Sequence, residues 1–488
     1  MTASETEDLT TPGAGVEVTA TETAAWSLGG RAFFFEAPVI ARLPIGSPVV
    51  LSSPQGEFLG QVVEVGAAEG AQGRLGRRIA GQGTLLARVD GDTLTAVGSD
   101  VTFEDAAMRQ ASPGVLAAWQ AGLAAGKSTL ALGDLRHPEG QPAQLLASGF
   151  NRHTFLCGQS GSGKTYTLGV ILEQLLLRTT LRMVVLDPNS DYVGLDRIAA
   201  EDGQGLADVG PVVVFRSKGE HRLQVRYGRL PLHQQAMVLA LDPVADAEAY
   251  DALRRATEEL GTPEYSLNDI RQRMRDSADP AERALALRID NLGVATWSIW
   301  AEREDPPLLD QLPADWRAAV ADLGEMEIPE ERSAIVASIL TGLWAVRGYK
   351  QPVLIVIDEA HNICPQEPAN AHQALAIEHA TRIAAEGRKY GLYLLLATQS
   401  PRKLHANVLS QCENLILMKT NSVADINHIA DVFSQVPRGL IAQATGFSLG
   451  EGLAAGRISP TPQLFRGGRR RSPEGGADIP TSWADKRD

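Results

Sequence analysis

The chain has 488 residues, of which 44% are hydrophobic and 21% charged, and a net charge of -14, a balance typical of globular proteins and enough chain for roughly two or three domains. Its longest apolar runs, such as Leu392 to Ala397, are too short to span a bilayer, and the acidic balance argues against a broad nucleic-acid-coating surface. Cys157, Cys364 and Cys412 lack the paired spacing of a zinc site and are expected to be buried, reduced thiols.

Residues 1–24 are rich in Thr, Ala and Glu, with no Lys or Arg before Arg31, so they lack the charged start and apolar middle of a signal peptide. They read as a disordered acidic tail, in a cytoplasmic protein. From 25 to 100, short apolar runs such as Ala32 to Phe35, Pro48 to Leu51, Phe58 to Val63 and Thr84 to Val89 alternate with Gly, Pro and Asp turns. That spacing predicts a small β-barrel. Residues 101–150 read as a connector, helical around Val115, Leu116, Trp119 and Leu123.

His153 to Cys157 reads as a buried strand and Tyr166 to Leu177 as an amphipathic helix, and between them stands Gly158-Gln159-Ser160-Gly161-Ser162-Gly163-Lys164-Thr165. Gly-x4-Gly-Lys-Thr wraps polyphosphate: the backbone N–H groups from Gly158 through Gly163, with Ser160 and Ser162, turn onto the phosphates at the helix N-terminus. Lys164 reaches between the β- and γ-phosphates, and the Thr165 hydroxyl ligates Mg2+. Tyr166 follows in the first turn. ATP and Mg2+ are the expected ligands.

Further strands are predicted at Arg182 to Asp187, Pro211 to Phe215, Val353 to Asp358, Leu392 to Gln399 and Asn414 to Lys419, alternating with helices, which implies a largely parallel sheet in an α/β domain over 151–460. Between 230 and 346 no strand character is evident, and a helical insertion is expected. The run Pro352 to Ile357 ends in Asp358 and Glu359, which would emerge at the C-terminal edge of a strand covered on both faces, where ligands sit in open α/β sheets. Asp358 would hold Mg2+ through its water shell, and Glu359 would orient and deprotonate the attacking water. Residues 461–488 are rich in Gly and Arg, with Arg466, Arg469, Arg470 and Arg471 clustered, and read either as a flexible tail or as a brace onto a neighbouring subunit or nucleic acid.

The loop 158–165, Leu186 to Tyr192, Ile357 to Asn362, Glu386 to Gly391 and Ala397 to Pro401, in that order, resemble the motifs of HerA-type ATPases of the HerA/FtsK superfamily. The resemblance implies a RecA-like P-loop ATPase core with a helical insertion, preceded by a small β-barrel. It also implies a homohexameric ring that moves double-stranded DNA through its pore with a nuclease or other effector partner, in DNA end processing or anti-phage defence, and without membrane. Arg388 matches the superfamily's arginine finger, which acts on a neighbour's γ-phosphate; Arg382, about two helical turns earlier, is the second choice, and a surface ion pair is the plain alternative. Arg152 matches a nucleotide-contacting arginine or has a structural role. Gln399 resembles the sensor glutamine, although Ser400 stands where relatives commonly have arginine. Asp187 and Asp191 either support metal and water or build a turn. Lys218, Arg222, Lys350, Arg402 and Lys403 are pore candidates by charge and position. The alternatives are an ATP-binding hexameric scaffold that assembles an effector, and a membrane-associated secretion or conjugation motor.

Overall fold

The computed structural model describes residues 23–68, 78–91, 93–200 and 209–475. Nearly all of the tail expected over 1–24 therefore lies outside the described residues, as does 476–488 of the expected C-terminal tail. The chain divides into two compact units, Met1–Gly122 and Leu123–Asp488.

The first unit has strands β1 (Ala24–Gly29), β2 (Ala32–Pro38), β3 (Pro48–Ser53), β4 (Gly56–Ala67), β5 (Arg78–Asp90), β6 (Thr93–Ala96) and β7 (Phe103–Gln110). Their order is β2-β1-β7-β3-β4-β5-β6, and a β2–β5 pairing closes the sheet into a barrel with β6 appended to β5. Alternation puts Phe33, Phe35, Leu51, Phe58, Phe103 and Met108 inside. Closure is tight where β2 meets β5: Phe33 stands opposite Gly83 and Phe35 opposite Gly81, and a Cβ on Gly83 would lie 2.1 Å from the Phe33 ring. The barrel takes in β7, past the boundary expected at residue 100. The predicted helix begins only at Pro113, as α1 (Pro113–Ala124).

The second unit is built on an eleven-stranded sheet. Its strands are β8 (Thr129–Leu135), β9 (Pro142–Leu146), β10 (His153–Cys157), β11 (Arg182–Asp187), β12 (Val212–Phe215), β13 (Ala318–Asp322), β14 (Val353–Ile357), β15 (Leu392–Thr398), β16 (Cys412–Met418), β17 (Glu451–Gly456) and β18 (Ser459–Gly467). The order is β12-β13-β11-β14-β15-β10-β16-β17-β18-β8-β9. Pairings from β12 to β16 are parallel, and those from β16 to β9 antiparallel. Every residue of β10 and β14 is buried, as expected of parallel strands covered on both faces.

The helices are α2 (Lys164–Arg178), α3 (Leu232–Val238), α4 (Ala247–Leu260), α5 (Leu267–Arg275), α6 (Pro280–Leu292), α7 (Pro329–Ala345), α8 (Ala360–Ile363) and α9 (Ala371–Glu386), with shorter ones beyond. The insertion expected over 230–346 is helical in α3 to α6 and again in α7, with a strand between them. That strand is β13, between β12 and β11, and α7 packs on α9. Likewise β8 and β9, expected within a connector, belong to this sheet, and β18 carries residues 461–467 of the expected tail into it. Cys157, Cys364 and Cys412 are free and buried, and burial pushes the Cys157 and Cys364 thiols up to about 12. No helix among the described residues is long and apolar enough to cross a membrane.

Candidate active site

The loop 158–165 leaves β10 at its C-terminal end and runs into α2. Gly158 is pressed against Met418 and Ser162, where a Cβ would stand 2.6 Å from each. Gly161 (φ 73°) and Gly163 (φ 88°) adopt left-handed conformations that favour glycine. A Cβ on Gly161 would meet nothing within 4 Å, so that side of the loop is open, whereas Gly163 faces Gly450, whose N–H donates to the Ser162 carbonyl at 3.0 Å. Gly161, Gly163, Lys164, Thr165, Glu359 and Gln399 line one cavity of about 690 Å3, with Asn189, Leu449, Gly467 and Glu474 at its margins.

Lys164 is the electrostatic centre. Its Nζ lies 2.7 Å from Asp358 Oδ1 and 3.0 Å from Glu359 Oε1, with only 7% of the side chain exposed. Burial alone would lower the ammonium pKa, but the two carboxylates outweigh it and hold it above the usual lysine value. Asp358 is fully buried and accepts from two further donors: Oδ1 from the Glu359 N–H at 2.8 Å, and Oδ2 from the Tyr192 hydroxyl at 3.0 Å. Glu359, two residues past the end of β14, is a non-glycine residue at φ 43°, a costly conformation, with its carboxylate on Lys164. Its other oxygen lies 3.3 Å from His361 Nδ1, which pairs with Thr398 Oγ1 at 2.9 Å. Burial lowers the His361 pKa against the pull of Glu359, so the ring is neutral near pH 7.

These residues fit a nucleoside triphosphate with Mg2+. The loop presents an open glycine face, the α2 N-terminus and an ammonium to anionic oxygens, and Ser162 Oγ is buried without a hydrogen-bond partner. Among the described residues no group of three or more His, Cys, Asp and Glu is arranged to hold a metal. Mg2+ would therefore arrive with the phosphates, held by Thr165 and, through water, by Asp358, the usual habit of this ion.

Comparison with known proteins agrees with this geometry. Residues 130–340 match the family described as "Helicase HerA, central domain". A probable helicase of Methanocaldococcus jannaschii is 32% identical over 133 residues, 27% of this chain and 25% of that protein. The DNA double-strand break repair helicase HerA of Saccharolobus solfataricus is 32% identical over 119 residues, 24% of this chain and 23% of that protein. The stretch 130–340 is thus similar to the central domain of HerA helicases. The matched stretches span about a quarter of the length of those two relatives. The structure of VirB4 from Thermoanaerobacter pseudethanolicus covers 70% of this chain and 97% of its own at a TM-score of 0.52 and 17% identity, and so shares the fold.

The residues singled out from the sequence fall into two groups. The phosphate loop, Glu359 and Gln399 line the cavity, and Asp358 is buried behind Lys164. Arg388 and Arg152 do not: Arg388 bonds Glu413, and Arg152 Nε lies 3.2 Å from the same carboxylate, which Arg457 also approaches at 3.9 Å. Arg152 precedes β10 and Gly158 follows it, so the arginines sit at the opposite edge of the sheet, about 20 Å away by strand rise. Neither lines the candidate nucleotide pocket of its own chain. Arg382 pairs with Glu378 and stacks over Trp344, also outside the cavity. Tyr166 lines the cavity, but its hydroxyl accepts from the Arg470 N–H at 2.7 Å. Asp187 builds a turn, its carboxylate accepting from the Asp191 and Tyr192 N–H groups at 3.0 and 2.8 Å. Arg402 is tied to Asp425 at 2.7 Å.

The expected tail or brace folds, over its described residues, onto its own subunit. The N–H groups of Arg471 and Ser472 donate to the buried Glu173 of α2, and Arg470 Nη2 donates to the Asp191 carbonyl at 2.8 Å. Glu173, Arg470, Tyr192 and His361 were not read as site residues. Tyr192 and His361 lie within the stretches Leu186 to Tyr192 and Ile357 to Asn362, and only the three-dimensional register shows that their side chains turn toward the acids.

Proposed function

We propose that this chain hydrolyses ATP to drive movement along double-stranded DNA, working as a homohexamer in the cytoplasm with a nuclease or other effector, in DNA end processing or anti-phage defence. The observation that carries the reading is the placement of Lys164 between Asp358 and Glu359 in a cavity closed by Gln399. Similarity to relatives such as the DNA double-strand break repair helicase HerA of Saccharolobus solfataricus supports DNA as the load.

In this reading the loop N–H groups and Lys164 hold the β- and γ-phosphates, and Thr165 and Asp358 keep the metal at them. Bound Mg2+ neutralises charge on the phosphate oxygens. Glu359 takes a proton from the attacking water, which Gln399 helps to orient, and Arg388 from a neighbouring copy meets the charge that develops on the γ-phosphate. Supply from a neighbour is favoured because the chain's own Arg388 lies at the far edge of its sheet. Few basic side chains are needed for DNA that is tracked by its phosphates, since each repeats around a ring.

The test is steady-state ATP hydrolysis by the full chain with and without linear duplex DNA, beside native mass measurement. Hydrolysis stimulated severalfold by duplex in a six-subunit species is expected. A hexamer that hydrolyses ATP at one rate whatever DNA or effector is present would sink the translocase reading.

A further inference from the structure

Asp358 depends on two side chains, and only one of them is free to stay. Lys164 has a second task at the phosphates, and each ångström it moves toward them weakens its 2.7 Å bond to Asp358 Oδ1. The donor on the other oxygen has no such task. The Tyr192 ring is fully buried, and its hydroxyl donates to Asp358 Oδ2 at 3.0 Å.

That ring is seated from behind by the segment after β18. The Arg470 guanidinium stands 5.6 Å from the Tyr192 ring centroid, with 1% of its side chain exposed. It donates to Ser472 Oγ at 3.0 Å and to the Asp191 carbonyl at 2.8 Å, beside Tyr192 in the chain. The Arg470 N–H donates to Tyr166 at the start of α2, one residue past Thr165. The same short segment thus fastens the phosphate-loop helix to the loop that carries Tyr192.

We infer that Tyr192 is the positioning residue for Asp358 and that Arg470 holds Tyr192 in place, which makes the segment from Gly468 to Gly475 a working part of its own subunit's nucleotide site. The inference rests on the ATPase reading. With Lys164 on phosphate, the Tyr192 hydroxyl and the Glu359 N–H keep the carboxylate aimed at the metal's water shell, so their contribution is felt in turnover more than in nucleotide affinity.

Tyr192→Phe removes one oxygen and leaves the ring against Arg470. In the full-length protein, kcat for ATP should fall about tenfold to hundredfold, the loss expected when a buried charged acceptor forfeits a donor. Affinity for a fluorescent ATP analogue in EDTA should stay within about twofold, because the loop and Lys164 are untouched. The concentration of Mg2+ giving half-maximal rate should rise. Arg470→Ala should reproduce that Mg2+ shift, and Arg470→Lys, which keeps a cation behind the ring, should recover part of it. A Tyr192→Phe protein with wild-type kcat and Mg2+ dependence, while the wild type is an active ATPase, overturns this inference alone. So does a parallel loss of melting temperature and EDTA affinity, which would make the hydroxyl a fold element. A wild-type protein that hydrolyses no ATP overturns the ATPase reading itself.

Discussion

Lys164→Ala should unfold the ATPase unit more easily, besides abolishing hydrolysis. The ammonium lies 2.7 Å from a carboxylate with no exposed surface and 3.0 Å from one that is 12% exposed. Removing one partner of such a group strands charge in the interior, at a cost of about 3–5 kcal/mol. For a unit from Leu123 to Asp488, with an unfolding entropy of about 2 cal/mol/K per residue, that is a drop of about 4–6 °C in melting temperature. The stranded charge, rather than lost packing, is the reason, so neutralising it should restore stability. Lys164→Ala/Asp358→Asn should melt above Lys164→Ala by about half the loss, since the amide still accepts the Glu359 N–H and meets the Tyr192 hydroxyl. The assay is scanning calorimetry without nucleotide on wild type, both single variants and the double, read as a double-mutant cycle. A double variant melting at or below Lys164→Ala refutes the reasoning.

Burial pushes the Asp187 carboxyl up to about 7, although two backbone N–H groups favour its charged form. Its folded pKa therefore exceeds the unfolded value, the folded state binds the extra proton between about pH 4 and 7, and stability from this group declines as pH rises through that window. Melting of wild type against Asp187→Asn from pH 4.5 to 7.5 should show wild type losing ground with rising pH; a constant difference would contradict the assignment. Arg388→Ala should abolish turnover with ATP affinity kept, and mixing it with Lys164→Ala subunits should restore activity at interfaces that pair an intact loop with an intact arginine. Well-mixed assemblies without recovery would exclude supply from a neighbour.

The phosphate loop and the acids were legible because each is a short run whose spacing carries its own chemistry: Gly158 to Thr165 closes on itself, and an apolar run ending at Asp358 has one place to end in a parallel sheet. β13 was not legible. Ala318-Ala319-Val320-Ala321-Asp322 has little strand propensity and lies within a helix-rich stretch, so it becomes a strand only through the tertiary slot between β12 and β11. Arg470 was hidden for a related reason. A run of arginines reads as solvated, and nothing local reveals that Glu173, buried on α2, accepts from the backbone beside it. Arg388 was legible as a residue type but not as a location, since position along a strand is a property of the whole sheet.

The β18–β8 pairing, with Phe465 opposite Leu135, has a consequence in time. During synthesis the β8–β9 hairpin emerges before the phosphate loop, yet its place in the sheet exists only once β18 leaves the ribosome, and the cavity wall at Gly450 and Gly467 is completed by the same event. Contacts so distant along the chain form slowly. The barrel, whose strands are all made by Gln110, has its full set of partners long before. A nascent chain thus carries a finished barrel while the cavity beside the phosphate loop stays unwalled until β18 has been made.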